Sequence, residues 1–268
     1  MSDFVLRQKK GIWFGVFPRL ESLNIEHAFT CRFHGCSSVM PQSLNMALHV
    51  NDESGKVVNN RQKVASALGL DYTKITTCKQ VHGNNVRVVT SDLVGSGAVD
   101  FANSIDDTDG LITDLANVPL MLFYADCVPV MFTDVNGKYI GLVHAGWRGS
   151  VSDIAARGAQ LMMDTYGIKK EDLIAAIGPS IGPCCYEVDE TVFKAAPKYE
   201  DCFITTSEGH WMFDLWSVNK KQLKAVGLKE ENILCADLCT YHNSELFFSF
   251  RAENGKTGRM AAIIAKKE

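Results

Sequence analysis

Apolar side chains recur every three or four residues in two segments, and this spacing predicts helices. Residues 56–68 carry one such stripe and residues 150–166 carry another. Ser150 and Asp153 stand at the positions of a capping-box variant at the start of the second stripe. Candidate N-caps of two shorter helices are Asp189 and Asp214.

Short apolar runs bounded by turn residues predict strands in much of the remaining chain. The predicted strands cover residues 12–17, 25–30, 75–82, 86–90, 118–124, 128–133, 139–144, 173–178, 246–250 and 259–265. The segments 75–82 and 86–90 are expected to pair with each other, and Asn136-Gly137 predicts a hairpin turn.

Helices interspersed with hairpins favour an α+β fold over a simple doubly wound sheet. We expect a layered sandwich of mixed β-sheets flanked by helices. No repeat, low-complexity tract or long linker divides the sequence. A single domain is therefore expected over residues 1–268.

The composition is that of an ordinary globular protein, with 46% hydrophobic and 22% charged residues. The net charge of −4 predicts no general attraction to nucleic acid or to anionic membranes, so an anion site must be local. The N-terminal segment MSDFVLRQKKGIWFGVF lacks the long apolar stretch of a signal peptide. Nine cysteines, an odd number, then favour a cytoplasmic protein with free thiols.

Reactive side chains stand at the ends of three predicted strands, at His82, Cys127 and His144. Their long spacing suits a site assembled from separate strands, whereas zinc-finger ligands come in close pairs. Two imidazoles and one thiolate suit zinc or copper, and three protein ligands leave a coordination position open, as in catalytic sites. One hypothesis is therefore that these residues are metal ligands and catalytic residues.

Two other interpretations of these residues stay open at this point. A histidine or cysteine at a strand end is often only a packed or hydrogen-bonded residue. Alternatively, Cys127 is a nucleophile and His144 is its base, without a metal. Sequence spacing does not separate these cases.

The segment after His144 has features of an anion site. Arg148 supplies a planar fork between glycines, and a helix is expected to start near Ser150. Phosphate is the expected anion. Further candidates for substrate or phosphate binding are Arg61, Arg251 and Gln80. Alternatively, each of these arginines is a solvated surface charge with no part in binding.

Two pairs of further cysteines are closely spaced. For the adjacent Cys184 and Cys185, packed thiols are favoured over a redox pair. Cys235 and Cys239 have nearly the spacing of zinc-finger ligands, but no second close pair accompanies them. A metal site at that pair is therefore not favoured.

A set of motifs runs in order along nearly the whole chain. It comprises His27-Ala28-Phe29-Thr30, Ser43-Leu44-Asn45-Met46, Asn60-Arg61, Gln80-Val81-His82-Gly83, residues 109–113, residues 125–130, residues 144–149, residues 177–181, residues 248–251 and residues 257–260. By this set the sequence resembles the bacterial laccase-domain family, described both as multicopper polyphenol oxidases and as purine nucleoside phosphorylases. It departs from the family pattern at His34, where a glycine is usual.

The resemblance implies that His82, Cys127 and His144 are zinc ligands, in a fold distantly like toxin deamidase domains that use a Cys–His pair. It implies phosphorolysis of adenosine, inosine, guanosine and methylthioadenosine, with adenosine deamination as a second activity. The expected partners are purine nucleosides and phosphate, with no nucleic acid and no membrane. The oligomeric state is left open.

Other functions are also considered. Copper-dependent phenol oxidation fits poorly, because none of the seven histidines forms the His-x-His pairs of blue multicopper oxidases, although copper can displace zinc at such a site. A metal-free Cys–His hydrolase would act on an amide, and some family members are linked to peptidoglycan precursor editing. A purely structural zinc would need a fourth protein ligand.

Overall fold

The computed structural model describes residues 4–40 and 42–268. Met1–Asp3, at the start of the N-terminal segment considered above, and Pro41 lie outside the described residues. Within those ranges a first sheet, antiparallel throughout, consists in spatial order of β1 (Val5–Lys9), β2 (Ile12–Val16), β3 (Ile25–Thr30), β15 (Met260–Lys266) and β7 (Leu120–Tyr124).

A second, mixed sheet lies beneath the first. In spatial order its strands are β14 (Ile233–Cys235), β10 (Leu173–Ile177), β8 (Val128–Asp134), β9 (Ile140–Ala145), β6 (Gly110–Thr113) and β5 (Val86–Val88). The two outermost pairs are parallel and the inner pairs are antiparallel. A small third sheet contains β11 (Glu187–Asp189), β13 (His210–Phe213) and β12 (Phe203–Ser207), and β4 (Phe33–Ser37) lies outside the three sheets.

The described residues form fewer α-helices than strands, but the three longest helices exceed every strand in length. They are α1 (Pro18–Glu21), α2 (Ser54–Leu68), α3 (Trp147–Val151), α4 (Ile154–Tyr166), α5 (Glu190–Ala195) and α6 (Leu215–Ala225). Short 3₁₀ helices occur at Tyr72–Lys74, Ser91–Leu93, Phe101–Asn103, Pro197–Cys202 and Glu230–Asn232. None of the described helices has the length and hydrophobicity needed to cross a bilayer.

The period-two alternation of strand side chains builds the layers. In β7, Leu120, Leu122 and Tyr124 face the second sheet, whereas Met121 and Phe123 face α2. The second sheet in turn packs its other face against α4 and α6. The order of layers is therefore helix, sheet, sheet, helix, which confirms the predicted α+β layered sandwich.

Several predicted elements are correct and others are wrong. Asp189 and Asp214 accept hydrogen bonds from the first turns of α5 and α6, as predicted N-caps should. Residues 75–82 form only isolated bridges, and β5 pairs in parallel with β6 instead of with that segment. The predicted strand 246–250 is not formed, because this stretch runs through turns.

The predicted helix 150–166 is broken near its start. Asp153 has a left-handed backbone conformation (φ 62°), so α3 ends before it and α4 begins after it. Its side chain makes no capping hydrogen bond and instead accepts from Lys198 and from the Tyr199 hydroxyl. The capping box predicted for Ser150 and Asp153 is therefore wrong, since a tertiary contact takes the carboxylate.

Candidate functional site

Cys127 lies where the chain passes from the first sheet to the second. Residues 125–127 join the end of β7 to the start of β8, and Asp126 makes the sharp bend with φ 83°. The Asp126 carboxylate is fixed by the Thr240 hydroxyl (2.7 Å) and the Arg251 backbone N–H (2.7 Å). The thiol is thus held at a rigid junction of two strands.

His144 stands beside this junction because β9 pairs antiparallel with β8. Its register partner is Pro129, two residues after Cys127. The Asp109 carboxylate lies 2.9 Å from Nδ1 of His144. A carboxylate only accepts, so Nδ1 carries a proton, and the other ring nitrogen is the one that can coordinate a metal after losing its own proton.

The same carboxylate shapes the loop that carries His82. Asp109 accepts hydrogen bonds from the backbone N–H groups of Val81 (3.1 Å), His82 (3.0 Å) and Gly83 (2.7 Å). These bonds hold His82 in a left-handed conformation, with φ 61°. One buried side chain therefore positions two of the three predicted ligands.

The three predicted ligands meet, and we name them the His–Cys–His cluster. The candidate ligand atoms of His82, Cys127 and His144 all lie within 4.8 Å of one another. A Cβ added at Gly146 would lie 2.9 Å from the His82 ring and 3.2 Å from Cys127 Sγ, so only glycine leaves room here. The donor set, its close spacing and the Asp109 support fit a metal ion with one open position.

The cluster is strongly coupled in its protonation. Burial opposes ionisation of Cys127, but the charge and hydrogen bond of His144, aided by His82, lower the pKa of Cys127 to about 6. Burial likewise disfavours the charged form of His144, yet Cys127 and Asp109 together raise the pKa of His144 to about 9. Without a metal, the pair is therefore a thiolate and an imidazolium near neutral pH.

The His–Cys–His cluster forms part of the wall of a cleft of about 490 Å³. Apolar and aromatic side chains make up much of the remaining wall. They are Phe123, Ala125, Trp147, Ile181, Tyr186 and Phe250. A pocket of this size, mostly apolar with a few converging polar groups, suits a small organic ligand.

Three arginines also line the cleft, and we call Arg148, Arg251 and Arg259 the cleft arginines. Each guanidinium lies over an aromatic ring, at 4.2 Å for Arg148 on Trp147 and 5.3 Å for Arg251 on Tyr186. In the described part of the chain no carboxylate forms an ion pair with any of them. Asp126 is a carboxylate in the same lining, so the three guanidinium groups leave the cleft with an excess of positive charge.

The other two predicted substrate-binding residues differ in placement. Gln80 lines the cleft, but its amide is held by both backbone groups of Phe123, at 2.8 Å each. Arg61 is only 1% exposed and lies outside the cleft lining, where it donates to the carbonyls of Met46, Gly97 and Ala98. Arg61 is thus buried, and it is not the solvated surface charge that the sequence left open as the alternative to substrate binding. The structure also does not bring it to the cleft arginines.

Sequence reasoning missed three residues of this region as site residues. Asp109 and Arg259 belong to the quoted motifs but were given no role, and His49 was given none either. His49 lines the cleft between Phe101 and Phe123, with ring centroids 5.3 Å and 5.6 Å away. Burial, followed by the charges of Arg259 and Arg61, lowers the pKa of His49 to about 4, so it presents a neutral imidazole.

Comparisons with known proteins relate this chain to a described family. Residues 26–267 match the family described as multi-copper polyphenol oxidoreductase laccase. Purine nucleoside phosphorylase YlmD of Geobacillus stearothermophilus is 42% identical over 241 residues, which is 88% of each chain. The Bacillus subtilis protein of the same name is 37% identical over 90% of this chain and 88% of its own.

Solved structures extend the likeness to the fold. The crystal structure of YlmD from Geobacillus stearothermophilus superposes with a TM-score of 0.93 at 37% identity, over the full length of both chains. The hypothetical protein YfiH of Bacillus licheniformis gives the same TM-score at 35% identity, again over both full chains. The family implies metal binding, for which the structure offers candidate His/Cys groups. The chain belongs to the multi-copper polyphenol oxidoreductase laccase family.

Proposed function

We propose that this protein is a zinc-dependent purine nucleoside phosphorylase acting on adenosine, inosine, guanosine and methylthioadenosine. Relatives at 42% and 37% identity bear the name purine nucleoside phosphorylase. The observation that carries the proposal is one cleft that joins the His–Cys–His cluster, arginines without an ion-pair partner and aromatic walls. These features can bind phosphate, hold a purine and stabilise negative charge on the departing base.

The cleft arginines suit phosphate. A guanidinium presents parallel N–H donors that match two phosphate oxygens, and such charge-assisted bonds are about twice as strong as neutral ones. Arg148 follows β9 within a few residues of His144, and the Arg251 backbone is tied to Asp126 beside Cys127. A phosphate held by them would lie next to the His–Cys–His cluster.

The rest of the cleft suits a nucleoside. Phe123, Trp147, Tyr186 and Phe250 offer flat apolar faces for a purine. The neutral imidazole of His49 has one ring nitrogen that can donate a hydrogen bond to the purine edge and one that can accept.

In the proposed reaction a phosphate oxygen forms a bond to C1′ of the ribose, and the bond from C1′ to the purine nitrogen breaks with its electrons leaving on the base. The cleft arginines hold the attacking phosphate, and the aromatic walls exclude water that would compete with it. The metal, when bound, supplies a Lewis acid for negative charge on the departing purine. His82, Cys127 and His144 would hold that metal.

Phosphate-dependent formation of ribose 1-phosphate tests the proposal. Untagged protein would be assayed with inosine and with adenosine, with and without phosphate, before chelation, after it and after zinc is restored. We expect ribose 1-phosphate only when both phosphate and metal are present. Cys127→Ser should abolish turnover, whereas Cys235→Ser, a substitution at the edge strand β14, should not.

Other results would overturn the proposal and favour an alternative. Turnover that survives complete metal removal but is lost on thiol alkylation would indicate a Cys–His hydrolase, for which the low pKa of Cys127 is the supporting observation. Phenol oxidation by copper-loaded protein, without phosphorolysis, would favour the oxidase. Ammonia release from adenosine tests the second proposed activity, deamination, in the same assay.

A further inference from the structure

A second group of metal-ligand side chains lies outside the His–Cys–His cluster and shares no residue with it. The ligand atoms of Cys184, Cys185, Cys239 and His242 all lie within 4.8 Å of one another. We propose that these four residues, named the Cys₃–His cluster, bind a second zinc ion in a closed structural site. The proposal is independent of the enzymatic activity proposed above.

The number and type of ligands support this assignment. Three thiolates and one imidazole complete a tetrahedral shell, and closed shells of this composition are typical of structural zinc. Tetrahedral zinc, with bonds of about 2.3 Å to sulfur and about 2.0 Å to nitrogen, holds its ligand atoms roughly 3.5–3.8 Å apart. Cys184 Sγ already lies 3.6 Å from His242 Nδ1.

The backbone around the Cys₃–His cluster also fits a thiolate site. The Gly182 backbone N–H donates to Cys239 Sγ at 3.2 Å, a bond that favours the charged sulfur. A Cβ at Gly182 would lie 3.2 Å from Cys184 Sγ and 3.2 Å from Cys239 Cβ, so glycine lets the loop close tightly over the sulfurs. Asn243 binds the Cys239 carbonyl through its side chain at 2.8 Å.

The ligands come from two loops that are otherwise joined by few bonds. Ser180 and Thr240 connect the loops through their backbones, and Cys239 bridges to Ser180. Cys184 and His242 are exposed, so a metal ion can reach the Cys₃–His cluster from solvent. The bound ion would cross-link residues 180–186 to residues 239–242.

This cross-link would stabilise one wall of the cleft. Ile181 and Tyr186 lie in the first loop and line the cleft, and the Ile181 N–H donates to the Asp126 carbonyl at 2.9 Å. Thr240, in the second loop, donates to the Asp126 carboxylate. We infer that the second ion orders the cleft wall and takes no part in the chemistry.

Cys235 is not in the Cys₃–His cluster, although it is close to Cys239 in sequence. It lies within β14, whereas Cys239 follows in the loop. The sequence interpretation, which found no close partner pair for Cys239, missed Cys184 and Cys185 because they are more than fifty residues away along the chain. Cys235 therefore serves as the matched control.

Metal content per chain tests the proposal directly. Untagged protein, purified in reductant and equilibrated with zinc, should hold two zinc ions per chain by mass spectrometry of the metal. Cys184→Ser and His242→Asn, at exposed positions, should each hold one, as should Cys127→Ser. Cys235→Ser should hold two.

Cobalt gives a second readout that does not depend on activity. In the Cys127→Ser background, Co²⁺ should give the intense visible bands of a tetrahedral thiolate site, and adding Cys184→Ser should remove them. Zinc content unchanged by both Cys184→Ser and His242→Asn would overturn the proposal. A disulfide between two of these cysteines, detected as a loss of two mass units in protein kept under reductant and supplied with zinc, would also overturn it.

Discussion

Asp109 is the residue on which the geometry of the His–Cys–His cluster most depends. It is completely buried, and its carboxylate contacts His144 and the backbone of the His82 loop at once. Burial raises the free energy of the charged form, but the hydrogen bond and charge of His144 and the backbone N–H groups lower the pKa of Asp109. It therefore remains an anion that orients the His144 imidazole and the loop that carries His82.

Asp109→Asn tests this orientation. The asparagine amide oxygen can still accept hydrogen bonds from some backbone N–H groups of the His82 loop. The amide lacks the negative charge with which the carboxylate holds the proton on Nδ1 of His144. We expect zinc affinity, measured by competition with a chromophoric chelator, to fall about 10–100-fold. Asp106→Asn, which removes only an exposed ion pair with Lys79, should leave the affinity unchanged.

Gly146→Ala tests the space between the ligands. The new Cβ would lie 2.9 Å from the His82 ring, so His82 must move and zinc affinity should fall. Gly55→Ala is the control, because nothing lies within 4 Å of its Cβ and it lies in the first turn of α2. A Gly146→Ala variant with unchanged zinc affinity would show that the three side chains need no such close approach.

Zinc binding should also depend on pH with a predictable sign. Between about pH 6 and pH 9 the metal-free pair is the Cys127 thiolate and the His144 imidazolium, so zinc must displace the proton of His144. The apparent affinity should rise roughly tenfold per pH unit across this window, with release of about one proton per ion. A chelator competition series in several buffers measures the slope, and a flat profile would contradict the assigned protonation states.

The three candidate ligand residues could be singled out from the sequence because each one ends an apolar strand or segment and carries reactive chemistry. The role of Asp109 could not be predicted from the sequence, since its hydrogen-bond partners lie 26 to 35 positions away and come close to it only after folding. His49 was missed for a similar reason. Its neutral form results from burial and from the charges of Arg259 and Arg61, which the sequence does not place near it.

At the scale of elements, Arg61 joins α2 to two neighbouring loops. Its guanidinium donates to the carbonyls of Gly97 and Ala98 at 2.7 Å, its Nε donates to Met46, and it lies 4.9 Å from the centre of the Phe123 ring. Phe123 forms part of the cleft wall. Arg61 therefore supports the wall from behind.

Arg61 and Arg148 should respond differently to substitution. Arg61→Met leaves three buried carbonyls without donors and should lower the free energy of unfolding by about 3 kcal/mol or more in urea denaturation. Arg148→Ala should leave stability nearly unchanged and raise the KM for phosphate at least about tenfold, the loss expected for a charge-assisted hydrogen bond. A rise in the phosphate KM with Arg61→Met but not with Arg148→Ala would reverse these roles.

The prediction of helices and strands succeeded where the apolar pattern of the local sequence agrees with the burial of the residues in the fold. The strand ends at 120–124, 128–134 and 140–145 lie close to the predicted ones because both faces of these strands are covered by apolar layers. It failed at Asp153, where Lys198 and Tyr199 hold the side chain and the helix breaks. Residues 75–82 look like a strand but follow the edge of the first sheet with isolated bridges only.

At the scale of the whole molecule, the His–Cys–His cluster lies where the chain crosses from the first sheet to the second. β7 is the last strand of the first sheet and β8 an inner strand of the second, and the residues that connect them line the cleft. The layered class of the fold could be predicted from alternating elements. The sheet order and this crossing could not, because strand partners are chosen by long-range packing. The single-domain boundary at residues 1–268 stays a prediction.

Anomalous diffraction at the zinc edge tests whether one ion joins His82, Cys127 and His144. The crystals would be grown from active, untagged protein and equilibrated with zinc. We expect a peak about 2.0–2.3 Å from one nitrogen of each imidazole and from Cys127 Sγ. Crystals of protein that performs phosphorolysis but shows no peak among these three side chains would contradict the assignment of the metal site.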